Sequence, residues 1–137
     1  MKARLRAAYM QTARTFAELS HAKRMKVGAI VVKDDRILSI GYNGTPSGWD
    51  NTCEEIVDGE LVTRSSVIHA EANCLAKLSK SHDTSTGASM FTTLSPCIHC
   101  AKQIYTAGIT DLYYDIPYRD MEGIEFLELA GISIQQL

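Results

Sequence analysis

Two short stretches, His69-Ala70-Glu71 and Pro96-Cys97-Ile98-His99-Cys100, hold the residue types that can do chemistry. One imidazole (His69) and two thiols (Cys97, Cys100) make a donor set suited to zinc, which takes N and S ligands in a tetrahedron. Three protein ligands leave the fourth position open, the pattern of a catalytic zinc site. Zinc lowers the pKa of a water in that position to about 7, so hydroxide is present at neutral pH. Glu71 lies two residues from the imidazole, where it can exchange a proton with that water without being a ligand. Hydroxide attacking an amidine-like carbon, with Glu71 moving protons to the ring nitrogen and the departing ammonia, is hydrolytic deamination of an amino-heterocycle.

These groups need helix N-termini to hold them. HAEANCLAKL, His69 to Leu78, consists of good helix formers, with His69, Ala72 and Leu75-Ala76 spaced for one buried face. Ser95-Pro96 ends a strand over Ala88–Leu94, and a helix runs from Cys97 to about Ala107, stopping at Gly108. Both sulfurs then share one face of the first turn, where the helix dipole favours thiolate, and His99 faces away.

The other elements follow in order. Leu5, Ala8, Tyr9, Thr12, Phe16 and Leu19 recur at helical spacing, predicting an amphipathic helix from Lys2 to about Leu19. Ser20–Met25 is a polar connector, either a solvated loop or one whose cations meet a ligand phosphate. Val27–Val32 and Arg36–Gly41 read as a β-hairpin turning at Asp34-Asp35. Tyr42–Gly48 is rich in turn formers, and about Trp49–Ser66, with its acidic cluster, reads as a long irregular loop. Strands over Thr110–Tyr114 and Ile132–Ile134 flank a loop at Pro117–Asp120 and a helix over Met121–Ala130. Strand–helix–strand connections cross over, so the later strands run parallel. The expectation is an α/β chain, one domain over 1–137, with a mixed five-stranded sheet and helices on both faces.

Composition excludes several classes. Net charge is −2 and the pI about 6.1, so no basic footprint for a polynucleotide exists. No apolar run approaches the roughly 20 residues of a membrane span, and the N-terminus lacks an apolar h-region. Cytoplasmic residence is the expectation, with Cys97 and Cys100 a metal pair rather than half of a disulfide framework. A closed zinc knuckle would need Cys53 or Cys74 as a fourth ligand. Cys74 points round the helix from the ligand face, Cys53 lies in the irregular segment, and such a site leaves Glu71 without a role. Cys53 is otherwise a buried free thiol or part of a second site with His21 or His82.

The pattern H-x-E…P-C-x-x-C is that of zinc nucleobase deaminases. Over nearly its whole length the chain resembles the deoxycytidylate (dCMP) deaminases of the cytidine deaminase superfamily, in the compact phage and bacterial form. The resemblance is carried by Lys26-Val27-Gly28-Ala29, Gly41-Tyr42-Asn43-Gly44-Thr45-Pro46, Ile68–Asn73, Thr93–Lys102 and Ala107-Gly108-Ile109. It implies a three-layer α/β/α cytidine-deaminase-like fold and zinc-dependent conversion of dCMP to dUMP and ammonia, supplying dUMP for thymidylate synthesis. It implies that Asn43 hydrogen-bonds sugar or base, that the Ala70 amide meets the pyrimidine carbonyl, and that the Ser95 carbonyl faces the leaving amine. Tyr118 and Arg119 stand where such enzymes place a base-packing and phosphate-contacting pair. A guanidinium suits phosphate, although Arg119 also fits an exposed loop cation.

The resemblance further implies a homohexamer in the cytoplasm (the host's, if phage-encoded), activated by dCTP with Mg²⁺ and inhibited by dTTP. The effector pocket would lie by Asn43-Gly44 and the Trp49–Glu55 loop, with Arg24 and Lys26 as triphosphate partners. A second, structural zinc carried by some phage relatives lacks its paired cysteines here, where His21-Ala22-Lys23-Arg24 stands. Three rivals share the zinc motif. A tRNA adenosine or cytidine deaminase would want a basic surface. A free-nucleoside or guanine deaminase would need no phosphate cation. A nucleotide-binding zinc protein without turnover would release no ammonia.

Overall fold

A computed structural model describes residues 1–137. Strands β1 (Gly28–Lys33) and β2 (Arg36–Tyr42) form the expected antiparallel hairpin, with Gly28 opposite Tyr42. Asp34 and Asp35 take φ of 52° and 57°, the left-handed pair that a two-residue hairpin turn requires. The other edge of β1 pairs antiparallel with β5 (Ser89–Leu94). Strands β5, β6 (Asp111–Ile116) and β7 (Ser133–Gln136) then run parallel. The order β2-β1-β5-β6-β7 makes the mixed five-stranded sheet expected from the alternation of strands and helices.

Helices cover both faces, because alternate residues of the central strands point to opposite cores. Ala29 and Val31 of β1, with Met90 and Leu112, pack under α2 (Ala70–Ser79), α3 (Ile98–Thr106) and α4 (Glu122–Leu129). Ile30 and Val32, with Phe91, face α1 (Ala3–Ala17). The result is a three-layer α/β/α sandwich, as the resemblance implies.

Two helix faces differ from the expected ones. In α1 the buried residues are Met10, Ala13 and Ala17, while Ala8 and Leu19 are exposed. A Cβ at Gly28 would collide with the Ala13 carbonyl, so helix and strand backbones meet there and small residues occupy the contact. In α2 the buried face is Ala70, Glu71, Cys74 and Leu78 rather than the one through His69 and Ala76.

The segment 49–66 is also more ordered than its composition suggested. It contains a two-stranded hairpin, β3 (Glu54–Val57) and β4 (Glu60–Thr63). Its turn is Asp58-Gly59, with φ of 51° and 77°. Asp-Gly between residues of high β propensity is a strong local hairpin signal, masked here by the surrounding acidic residues. No helix is long and apolar enough to cross a membrane.

Candidate active site

Close backbone approaches position the metal donors. His69 is the extended N-cap of α2, and Cys97 the extended N-cap of α3. Helix α2 lies directly on β2: a Cβ at Gly41 would collide with the Ala70 carbonyl and stand 2.5 Å from the Cys74 nitrogen. Helix α4 lies equally close to the other ligand loop. A Cβ at Gly123 would meet the Pro96 carbonyl oxygen and stand 2.8 Å from both C and O of Cys97. Neither approach follows from local periodicity, since both join segments far apart in the chain.

The three donors converge. His69 Nδ1 is 3.3 Å from Cys100 Sγ and 3.6 Å from Cys97 Sγ, and the three ligand atoms lie within 4.8 Å of one another. A tetrahedral zinc with bonds of about 2.0 Å to N and 2.3 Å to S would hold N and S about 3.5 Å apart. The donor set therefore fits zinc in both chemistry and span. Cys53 and Cys74 are free thiols outside this group, and His99 lies exposed beside it.

The electrostatics also suit a metal. The Cys97 thiol is pulled down to about 3, first by the hydrogen bond from the Cys100 S–H and then by His69. Cys100 is pushed up because it donates that bond and is buried. The His69 imidazole is held above its ordinary value, first by its bond to Cys97. Cys97 is thus biased toward thiolate, the form a metal takes, and metal binding would release the proton held between the thiols. By contrast, burial pushes the Cys74 thiol up to about 12, so it stays protonated and inert in the core.

Glu71, in the first turn of α2, is only 4% exposed. Burial raises its carboxyl above the ordinary carboxylate value, as suits a group that both takes up and returns a proton. Oε1 accepts from the hydroxyl of fully buried Thr92 on β5 at 3.2 Å, and that hydroxyl also lies 3.0 Å from the Leu94 carbonyl. Sequence reasoning did not find Thr92, because a threonine inside a β-branched strand carries no sign of a polar partner. Thr92→Val keeps the shape and removes the hydroxyl. Loss of that bond is expected to lower kcat by about tenfold with zinc content unchanged, read from metal analysis beside steady-state rates.

A cavity of about 380 Å³ opens onto these groups, within the roughly 300–1,000 Å³ typical of small-ligand sites. His69, Ala70, Glu71 and Cys97 line one part of it, and Asn43, Ser95, Tyr118 and Arg119 also contribute. Asn43 supports its own wall: Oδ1 accepts from Val27 N at 2.9 Å and Nδ2 donates to the Met25 carbonyl at 2.9 Å. Ala70 opens α2, so its amide has no carbonyl one turn back to bond. The Ser95 hydroxyl accepts from Tyr118 N at 2.7 Å, tying the Tyr118-Arg119 loop to the zinc loop. The Arg119 guanidinium lies 5.8 Å from the Tyr118 ring centroid.

Of the residues considered for an effector site, Arg24 and Asn43 line the cavity, and Lys26, Gly44, Trp49 and Glu55 lie outside its lining. Lys26 instead faces Glu18 at 4.0 Å. Gly44 bridges Ile68, Trp49 is 61% exposed, and Glu55 projects from β3 into solvent. Arg24 therefore lines the cavity that Glu71 also lines.

Residues 4–116 match the cytidine and deoxycytidylate deaminase zinc-binding region. A crystal structure of dCMP deaminase from the cyanophage S-TIM5, in complex with dCMP and dUMP, superposes with a TM-score of 0.94 at 46% identity. That superposition covers 100% of this chain and 99% of the other. The deoxycytidylate deaminase of Mycobacterium phage D29 is 35% identical, over 77% of this chain and 90% of its own length. ComE operon protein 2 of Bacillus subtilis is 33% identical over 94% of this chain and 69% of its own. The zinc donors, the buried carboxylate and these similarities converge on one conclusion: the chain belongs to the cytidine and deoxycytidylate deaminase family.

Proposed function

We propose that residues 1–137 act as one catalytic domain that deaminates dCMP to dUMP and ammonia. The carrying observation is that two of the metal donors, His69 and Cys97, and Glu71 line one cavity with two arginines, Arg24 and Arg119, while the third donor, Cys100, lies within 4.8 Å of the other two. Held by His69, Cys97 and Cys100, zinc supplies the Lewis acidity that makes water nucleophilic at neutral pH. Glu71 carries one proton of the attacking water to the ring nitrogen, where it stays, and the water's second proton to the leaving amine, which departs as ammonia. Thr92 holds the carboxylate facing that exchange. The unpaired Ala70 amide donates to the pyrimidine carbonyl, and Ser95 offers its carbonyl to the departing amine. Tyr118 packs on the base, and Asn43 shapes the sugar wall.

The two arginines separate a nucleotide enzyme from a nucleoside enzyme. Each charge-assisted bond to phosphate contributes about 1.5–3 kcal/mol. Arg119→Ala and Arg24→Ala are therefore expected each to raise the KM for dCMP by roughly ten- to a hundredfold, leaving deoxycytidine turnover unchanged. Equal losses on both substrates would argue for a nucleoside enzyme.

The finer reading includes a homohexamer, activation by dCTP with Mg²⁺ and inhibition by dTTP. Similarity to phage deoxycytidylate deaminases supports it, as do the exposed apolar residues Ile56, Leu129 and Trp49, which subunit contacts would cover. Residence in a reducing cytoplasm agrees with the free thiols. The decisive experiment assays purified, zinc-loaded protein on dCMP, CMP, deoxycytidine and dCTP, with and without dCTP–Mg²⁺ or dTTP. Ammonia release from dCMP is expected; its absence under every condition overturns the reading. Light scattering of the same sample reads the oligomeric state.

A further inference from the structure

Glu54, the first residue of β3, is a buried carboxylate that the proposed chemistry does not use. It is 7% exposed, and both its oxygens face one donor, the backbone N–H of Lys23, at 2.6 and 3.1 Å. No Lys or Arg nitrogen forms an ion pair with it. Burying a carboxylate with a single amide partner is unfavourable, so the arrangement must secure something.

What it secures is the loop that carries Arg24. From the inside, Asn43 holds Met25 and Val27, and Ser20 Oγ bonds both the Asn43 carbonyl and the Ala22 amide. Lys23 and Arg24 lie between these points and are held from the other side by the β3–β4 hairpin. Glu54 takes the Lys23 amide, and Thr63 Oγ1 accepts from Arg24 Nη1 at 3.2 Å. The hairpin exposes Ile56 (68%), Val57 (44%), Leu61 (40%) and Val62 (37%). With so little apolar burial of its own, it is joined to the cavity wall largely by these polar ties.

We infer that Glu54 is a positioning residue that fixes the Lys23-Arg24 backbone, holds the Arg24 guanidinium over the cavity, and thereby sets recognition of the substrate's 5′-phosphate. This rests on the dCMP reading above. A carboxylate serves better than a neutral acceptor, because a charged acceptor bonds an amide about twice as strongly. Glutamine at this position still presents an oxygen to the Lys23 amide, whereas alanine presents nothing.

The test compares Glu54→Ala, Glu54→Gln, Arg24→Ala and the Glu54→Ala/Arg24→Ala double variant, with dCMP and deoxycytidine as substrates. Glu54→Ala should raise the KM for dCMP about tenfold, far more than it lowers kcat, and reduce the preference for dCMP over deoxycytidine by a similar factor. Glu54→Gln should restore most of the affinity. On the Arg24→Ala background the Glu54→Ala step should add little, because the two act through one guanidinium. Amide hydrogen exchange at Lys23 provides a readout that needs no turnover: protected in the parent and in Glu54→Gln, fast in Glu54→Ala. Slow exchange in Glu54→Ala, equal kcat losses on both substrates, or additive effects in the double variant would each overturn the assignment. A parent protein that leaves dCMP untouched while Lys23 exchange still depends on Glu54 would instead refute the dCMP reading and keep Glu54 as the residue that fixes the Lys23-Arg24 backbone.

Discussion

Glu71→Gln is expected to lower dCMP turnover by about a thousandfold while zinc stays bound, since general acid–base catalysis contributes roughly 10²–10⁴-fold. The substitution is nearly isosteric. The amide oxygen still accepts from Thr92 Oγ1, and the side chain remains in its buried place at the start of α2. The metal donors His69, Cys97 and Cys100 are all retained, and glutamine keeps an oxygen beside Cys100, whose thiol bonds the parent carboxyl. What disappears is the ability to take a proton from water and return it to the base. Burial raises the carboxyl above its ordinary value, which strengthens it as a proton acceptor. Glutamine has no accessible protonation equilibrium and cannot substitute. The measurement is ammonia release beside zinc analysis and thermal unfolding. Retained turnover within about tenfold of the parent would remove Glu71 from the mechanism, and lost zinc would reassign it as a support of the metal site.

Gly123→Ala carries the second large effect, and its sign is opposite to what helix propensity suggests. In an exposed helix, alanine is favoured over glycine by about 1 kcal/mol. Here the added methyl would overlap the Pro96 carbonyl and the carbonyl carbon and oxygen of Cys97. These are backbone atoms, which cannot rotate aside as a flexible side chain would. Either α4 retreats, or the 95–97 loop shifts and carries Cys97 with it. Overpacking a close contact costs about 1–3 kcal/mol, and a rigid backbone neighbour puts this case at the upper end. The expected result is a fall in stability of about 3 kcal/mol together with weakened zinc affinity, because Cys97 Sγ must stay about 3.6 Å from His69 Nδ1. Chelator competition and chemical denaturation read the two quantities separately. A variant as stable and as zinc-tight as the parent would show that the approach of α4 is not what sets the ligand loop.

These two residues divide what each level of description reveals. Glu71, His69, Cys97 and Cys100 are legible from the chain alone, because metal ligation demands particular residue types at short fixed spacings. The strand–helix alternation after residue 69 likewise dictates parallel pairing of β5, β6 and β7, since a crossover connection permits little else. The β3–β4 hairpin was legible in principle at Asp58-Gly59 but hidden under acidic composition. The face of α1 was not legible, because apolar spacing favours Leu5, Ala8 and Leu19 while the contact uses small residues against Gly28.

Periodicity reports which side of an element is apolar; it does not report how closely two backbones approach. Nor does sequence place Arg24 in the same cavity as Glu71, give Thr92 its carboxylate partner, or set Glu54 on the Lys23 amide. Residue types and local spacing specify the reaction, since its ligands come from two short stretches. The neighbours that orient those ligands, and that line the cavity around a substrate, come from segments tens of residues apart. Only the packing of the sheet and its helices brings them together.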